Sequence, residues 1–326
     1  MNKRLLFWLK VLLLLTVAGI VAWKLHAAWL KVQDLHLAID WRWGGVALAG
    51  FAGSMLTSAL VWRWLAGRMG DRSPALPLLA SYTYSQMGKY IPGKVVLLLM
   101  RIERAQRFGM APAVCTLSTL LENALYMISG GLVGMLAIVR IAGEVVPKYR
   151  VLLWPVTSAG VLLLIAACAP PVFYGLVNRV LGKMKRPEVP AQERLAAGTL
   201  ALAVLGFVPC WLFGGLAMWG SLRCVQPAEH PVPLADCWWF AGAYALSVII
   251  GMASLLPGGT LIREAVLGAA AAFQFAAQGV EHSQALLLGT AVAILQRIFQ
   301  LVVEMLLGLL GMLLTQKKPG PTERRG

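Results

Sequence analysis

Charged side chains inside long apolar stretches are the residues of this sequence best suited to chemistry. Glu122 lies well inside one such stretch, and Tyr126 follows it by one helical turn. In the last apolar stretch, Arg297, Gln300 and Glu304 are spaced at i, i+3 and i+7, which predicts that they share one helical stripe. Ionisable residues within a membrane are costly and mark functional sites. We therefore take these residues as candidates for binding a substrate.

Two proline-glycine breaks interrupt apolar segments 165 residues apart, from Pro92 to Pro257. Proline removes a helical donor and glycine permits irregular backbone, which at membrane depth needs protein or a water-filled cavity around it. Interrupted segments in matching positions of two halves are typical of a transporter binding site, so we predict two re-entrant elements. Pro92, Gly93, Pro257, Gly258 and Gly259 would shape these loops, and the flanking charges are Lys89, Lys94, Arg101, Arg263 and Glu264.

These charges predict a polar groove for a lipid headgroup. Most of them are cationic, and amides exposed at helix N-termini also favour anions, so the expected headgroup is anionic, such as a phosphate. Glu122 and Glu304 would pair with the cations and so adjust how strongly these attract the headgroup. The alternative interpretation is that the buried charges form ion pairs that only fix helix packing.

The amino-acid composition indicates that the chain is a membrane protein. Of 326 residues, 59% are hydrophobic and 13% charged, and the mean hydropathy is +0.73. A soluble domain has roughly 25% charged residues, so a soluble enzyme and a disordered protein are excluded. The apolar runs are continuous, whereas an outer-membrane barrel would alternate at period two. The fold class is therefore all-α, a polytopic helical membrane protein.

The remaining composition excludes other functions. The net charge of +15 is typical of basic cytoplasmic loops that meet anionic headgroups, and nucleic acid is not an expected partner. Cysteines and histidines are dispersed, so we expect no metal and no cofactor. The sequence contains no established hydrolase, protease or nucleotide-binding motif, so we expect no enzyme.

The segments form a single transmembrane domain over residues 1–315. An uncleaved first span covers residues 5–23, and six to eight crossings with cytoplasmic termini are expected. Two pseudo-repeated halves, about 43–174 and 197–315, are joined by a basic linker at 178–194, and a disordered cytoplasmic tail covers 316–326. The predicted apolar segments after the first are 43–66, 76–100, 111–139, 151–174, 197–222, 237–256, 261–279 and 285–315.

Two motifs resemble a known family. The stretch Ser85–Lys94 followed by Arg101 is similar to the first signature of the lysylphosphatidylglycerol synthase transmembrane-region family, and Leu256–Gly259 followed by Arg263-Glu264 is similar to the second. Glu122 corresponds to a glutamate in the span after the first signature. Lys94 departs from the family, which often has a small residue there. The soluble aminoacyl-transferase domain is absent, so the chain resembles a stand-alone member and lysyl transfer is not expected.

The resemblance implies a flippase that moves a polar-headed lipid, anionic or glycosylated, between leaflets of a bacterial inner membrane. Neutralising Glu122 or Arg297 should then abolish lipid movement without unfolding the protein. A second hypothesis is a non-catalytic partner of lipid-modifying or glycosyltransferase enzymes. A third is an intramembrane lipid-modifying enzyme with Glu122 as its base.

Overall fold

The computed structural model describes residues 23, 30, 39–90, 95–145, 150–167, 169–183, 189, 194–226, 231–253 and 262–316. These residues form helices and turns, with no strand among them. Five helical stretches within this part of the chain are long and apolar enough to cross a membrane, which confirms the predicted all-α polytopic membrane fold. The five stretches are Arg42–Arg68, Pro112–Ile141, Ala197–Val225, Leu234–Ala253 and His282–Leu314.

The helices follow the predicted apolar segments. The first group is α1 (Arg42–Arg68), α2 (Ala75–Ser85), a 3₁₀ helix (Gln86–Tyr90), α3 (Val95–Gln106), α4 (Pro112–Val145), α5 (Arg150–Ala167) and α6 (Pro170–Lys183). The second group is α7 (Ala197–Gly206), α8 (Val208–Val225), a 3₁₀ helix (Leu234–Asp236), α9 (Cys237–Ala253), α10 (Ile262–Ala277) and α11 (His282–Leu314).

Both predicted breaks fall between helices that pack against each other. The segment expected at 76–100 is divided into α2 and α3, which have 11 and 12 residues. Each is therefore about 17 Å long, far less than the roughly 30 Å of a bilayer core. Helix α2 contacts α3, and α9 contacts α10. The loop residues Pro92, Gly93, Lys94, Pro257, Gly258 and Gly259 lie outside the described residues, as do most of the first span and most of the tail.

Two other boundaries differ from those predicted. The segment expected at 151–174 is divided into α5 and α6, because Pro170 and Pro171 begin a new helix. Helix α6 then continues to Lys183, so the first six residues of the predicted linker are helical. The Asn178 side chain accepts a hydrogen bond from the amide of Val189 (3.0 Å), which holds the following chain against α6.

Helices α1 and α8 pack through a reciprocal contact of small residues. A Cβ added to Gly50 would lie 2.7 Å from the amide nitrogen of Ala217, and one added to Gly220 would lie 2.8 Å from that of Ala47. Positions 47 and 217, like positions 50 and 220, are 170 residues apart. In an interface between two symmetry-related copies, each contact occurs twice with the partners exchanged. Here Gly50 meets Ala217, and its equivalent Gly220 meets Ala47, the equivalent of Ala217. The contact therefore relates two similar halves of one chain.

The ends of α3 and α10 repeat the same spacing. Gly109 and Gly279, again 170 residues apart, have φ values of +98° and +87°, which favour glycine. After each glycine, an amide returns to the last helical turn, from Met110 to the carbonyl of Ala105 (3.3 Å) and from Val280 to that of Phe275 (3.1 Å). Both turns lead directly into the long helices α4 and α11.

We call the helix pairs that flank the two breaks the first hairpin (α2–α3) and the second hairpin (α9–α10). Each long helix packs against the hairpin of the other half. Helix α4 packs against α9, where Gly242 meets the backbone of Ala137, and α11 packs against α2, where Gly311 meets the carbonyl of Ala80. Small residues allow such close helix approach in membranes. Helix α11 is capped at its N-terminus by Glu281, whose side chain accepts hydrogen bonds from the amides of Ser283 and Gln284. The hydrogen bonds donated by Ser283 hold the pKa of this exposed carboxyl below its usual range.

We expect Gly50→Ala to weaken the α1–α8 contact, because the added methyl group meets backbone that cannot move aside. Overpacking of this kind costs about 1–3 kcal/mol, so the melting temperature in detergent should fall. Gly45→Ala is the matched control, since the same helix has open space around Gly45. Equal melting temperatures for the two variants would contradict the close packing.

Candidate functional site

Arg101 of α3 lies at the centre of a closed polar network. Its guanidinium donates to a Glu122 carboxylate oxygen at 2.5 Å, to the Ser85 hydroxyl at 3.1 Å and to the Thr119 hydroxyl at 3.3 Å. The Tyr82 hydroxyl donates to the other Glu122 oxygen at 2.6 Å. Arg101 is 1% exposed and Glu122 is 6% exposed, so both are sealed from the surroundings.

Aromatic rings complete this network. The guanidinium carbon of Arg101 lies 4.0 Å from the ring centre of Tyr82 and 5.0 Å from that of Trp62. The charge pair of Arg101 on α3 and Glu122 on α4 is therefore surrounded by side chains from α1 and α2 as well. The geometry of Arg101 and Glu122 favours the interpretation in which a buried ion pair fixes helix packing.

A second polar cluster lies on α11. Glu304 accepts a hydrogen bond from Lys89 at 2.5 Å, from Gln300 at 2.7 Å and from the hydroxyl of Tyr90. Lys89 and Tyr90 end the 3₁₀ helix directly before the first predicted break. Glu304 is 6% exposed, whereas the Lys89 side chain is 27% exposed. The cluster is thus buried on its α11 side and open at Lys89.

The same stripe of α11 meets the residues that follow the second predicted break. Arg297 donates to the side-chain oxygen of Gln300 at 3.5 Å, and its Nε lies 3.4 Å from a carboxylate oxygen of Glu264. The neighbouring Arg263 lies with its guanidinium carbon 5.6 Å from the ring centre of Tyr244.

These contacts define one site, which we call the junction cluster. It brings the chain before the first break and the chain after the second break onto one face of α11. Its charges are three cations and two carboxylates. Its members are Lys89, Tyr90, Arg263, Glu264, Arg297, Gln300 and Glu304.

The structure places the other predicted residues elsewhere. Arg101 and Glu122 belong to the closed network. Tyr126 packs with its ring centre 4.1 Å from that of Trp211 and 5.4 Å from that of Phe207. Tyr126 therefore contributes to aromatic packing between α4 and α8.

Two functional neighbours were not among the candidates from sequence. Tyr90 was overlooked although it stands next to Lys89 in the first motif. Arg104 is 8% exposed and donates to the backbone carbonyl of Thr315 at 3.2 Å, which fixes the end of α11 against α3. Its signal in the sequence was the i, i+3 spacing from Arg101, which places both on one helical face.

The cluster has the chemistry of headgroup binding. Guanidinium, ammonium and amide groups bind oxyanions by charge-assisted hydrogen bonds, and carboxylates accept from hydroxyl or ammonium groups. Within the described part of the chain, no three histidine, cysteine or acidic side chains are close enough to hold a metal ion.

The family follows from a comparison of the whole chain. Residues 7–308 match the family described as the lysylphosphatidylglycerol synthase transmembrane region. The chain belongs to this family. No curated protein matches it. Membership in the lysylphosphatidylglycerol synthase transmembrane-region family and five apolar helices make it a multi-pass membrane protein with a function related to membrane lipids.

The closed network changes the expected effect of neutralising Glu122. In Glu122→Gln, Arg101 keeps its buried charge without a carboxylate, and breaking such a pair costs about 3–5 kcal/mol. We therefore expect a large fall in melting temperature, and the double variant Arg101→Met with Glu122→Leu should recover much of it.

Glu103→Gln is the control for this experiment. Glu103 pairs with Arg107 on the surface, and such exposed pairs contribute about 0–1 kcal/mol. A Glu122→Gln protein as stable as Glu103→Gln would show that the Arg101 network does not hold the fold.

Proposed function

We propose that this protein moves a polar-headed lipid between the leaflets of a bacterial inner membrane, with both chain termini in the cytoplasm. The short helices α2 and α3 form one re-entrant element, and α9 and α10, which are longer, form the helix pair at the second break. The lipid headgroup passes along the junction cluster while its acyl chains stay in the bilayer. Family membership supports the connection to membrane lipids.

One observation carries the proposal. Charged residues next to both predicted breaks meet on a single helix that belongs to the second half, through Lys89–Glu304 and Arg297–Glu264. A bundle can be packed in a membrane with small and apolar residues alone. Lys89 is also partly exposed, unlike Arg101 in the closed network, which supports a binding role for this cluster. Half-helix ends that converge between two repeats are the arrangement in which transporters bind substrate.

The ion pairs suggest how a headgroup is handled. Lys89 is held by Glu304, and an anionic headgroup can replace that carboxylate as the partner of Lys89. Exchange of partners keeps every buried charge compensated during passage, which avoids the cost of an unpaired charge in a low dielectric. The glutamate then recaptures Lys89 when the headgroup leaves.

The third hypothesis, an enzyme with Glu122 as base, has less support. Both oxygens of Glu122 already accept hydrogen bonds, from Arg101 and from Tyr82. A carboxylate held in this way has no free oxygen directed at a substrate. No contact among the described residues specifically favours the partner hypothesis.

The proposal is tested by reconstituting the full chain into vesicles that contain fluorescent phosphatidylglycerol. We expect the wild type to expose inner-leaflet probe to a membrane-impermeant quencher faster than protein-free vesicles do. Glu304→Gln should slow this movement about tenfold or more, because a hydrogen bond to a charged group contributes about 1.5–3 kcal/mol.

Glu103→Gln makes the same chemical change on the surface and should leave movement unchanged. A folded Glu304→Gln protein that moves the probe at the wild-type rate would reject the junction cluster as the path. A wild-type protein that moves no phospholipid headgroup would reject the flippase proposal and favour the partner hypothesis.

A further inference from the structure

Three residues around the first hairpin recur around the second with one constant spacing. Tyr82, Ser85 and Arg101 are each 162 residues before Tyr244, Ser247 and Arg263. The contacts recur as well, since both serine hydroxyls donate to the carbonyl of the matching tyrosine at 2.7 Å. Each arginine also lies over the ring of its tyrosine. Arg263 is therefore the counterpart of Arg101.

The two arginines differ in the side chain that lies near them on the long helix of their half. Helix α4 offers Arg101 the carboxylate of Glu122 at 2.5 Å. Helix α11 instead offers Gln296, which lines one pocket with Arg263 and is 1% exposed. Among the described residues, no carboxylate lies within ion-pair distance of Arg263. A buried cation is thus compensated in the first half, whereas its counterpart in the second half has no carboxylate partner in the part of the chain that the structure describes.

Several buried polar atoms that line this pocket lack hydrogen-bond partners in the described part of the chain. They are Nε and Nη2 of Arg263, Nη2 of Arg297, and both side-chain amide atoms of Gln296. Arg263 and Arg297 are each 9% exposed, so these donors are buried. Buried donors without partners cost about 1–3 kcal/mol each, and such groups are rare in folded proteins. Several of them at one place indicate a ligand that accepts hydrogen bonds.

We propose that this pocket binds the phosphate oxyanion of a lipid headgroup, which supplies in the second half the charge that Glu122 supplies in the first. The inference rests on the proposed function and names its substrate class. A phosphate suits this pocket because its oxygens accept charge-assisted hydrogen bonds from guanidinium groups and hydrogen bonds from an amide. The enclosed part of the pocket, about 10 Å³, has room for about one phosphate oxygen, so the rest of the headgroup and the lipid lie in the open mouth and outside it.

One acceptor in the pocket adds to the specificity. Oε2 of Glu264 is buried without a partner among the described residues, while its other oxygen faces Arg297. A carboxylate oxygen repels the phosphate itself, but it can accept a hydrogen bond from a hydroxyl or ammonium group. The matching headgroup therefore has a donor beside its phosphate, as phosphatidylglycerol does.

The test uses Gln296→Glu, which adds a carboxylate to the pocket that Arg263 lines. The new carboxylate should pair with Arg263 and so occupy the place of the phosphate. We expect phosphatidylglycerol to raise the melting temperature of the detergent-solubilised wild-type protein in a concentration-dependent manner. Its apparent affinity should be about tenfold or more weaker in Gln296→Glu, and diacylglycerol, which has no phosphate, should have no effect.

Gln284→Glu is the matched control, because it makes the same change at an exposed position of α11 and should leave binding unchanged. Arg263→Gln gives an independent arm if Gln296→Glu does not fold, and it should also lose the lipid effect. Inorganic phosphate distinguishes the two sources of the anion. An effect of phosphate that Gln296→Glu abolishes supports a site for the bare oxyanion, and an effect of the lipid alone supports a headgroup site.

Phosphatidylglycerol binding that is equal in wild type, Gln296→Glu and Arg263→Gln would overturn the inference, and so would the absence of any effect on the wild type. The proposed function can fail separately. A protein that binds the lipid through Arg263 but does not move it in vesicles would reject the flippase while leaving this site in place.

Discussion

Compensation of buried charge is the constraint on which this structure depends. In a low-dielectric interior an isolated ion is so costly that it persists only with a partner. Arg101 meets Glu122, Lys89 meets Glu304, and Arg297 lies near Glu264. Each pair joins different helices, so charge compensation also determines which helices lie side by side. The helix crossings follow, with glycines wherever the backbones come closest.

The two halves use this constraint differently. The network around Arg101 is closed by Glu122 and two aromatic rings. The equivalent position around Arg263 is closed by no carboxylate of the described chain. The repeated element is therefore complete around Arg101, whereas around Arg263 it has polar atoms without partners among the described residues. In the proposed function, this incomplete copy is the one that binds the ligand.

The sequence predicted the elements better than the contacts between them. Long apolar runs predicted the spans, and the spacing of Arg297, Gln300 and Glu304 predicted a stripe that the structure brings together. The partner of Glu304 could not be predicted, because Lys89 is 215 residues away and meets it only through tertiary packing. Glu122 was considered a binding residue because burial alone does not show whether a charge is already paired. The glycine contacts between α1 and α8 could not be predicted either, because they also join residues far apart in the sequence.

Helix α11 connects stability to function. Its glycine face packs against α2, and its polar stripe holds residues from both hairpins. A change in that stripe therefore alters the site and the packing of two halves together. The stripe cannot be replaced by apolar residues without losing the attachment of Lys89, although such a core would be cheaper to bury. The stripe lies on the most extensively buried of the five apolar helices. In the proposed function, a ligand that exchanges with its charges accounts for this costly arrangement.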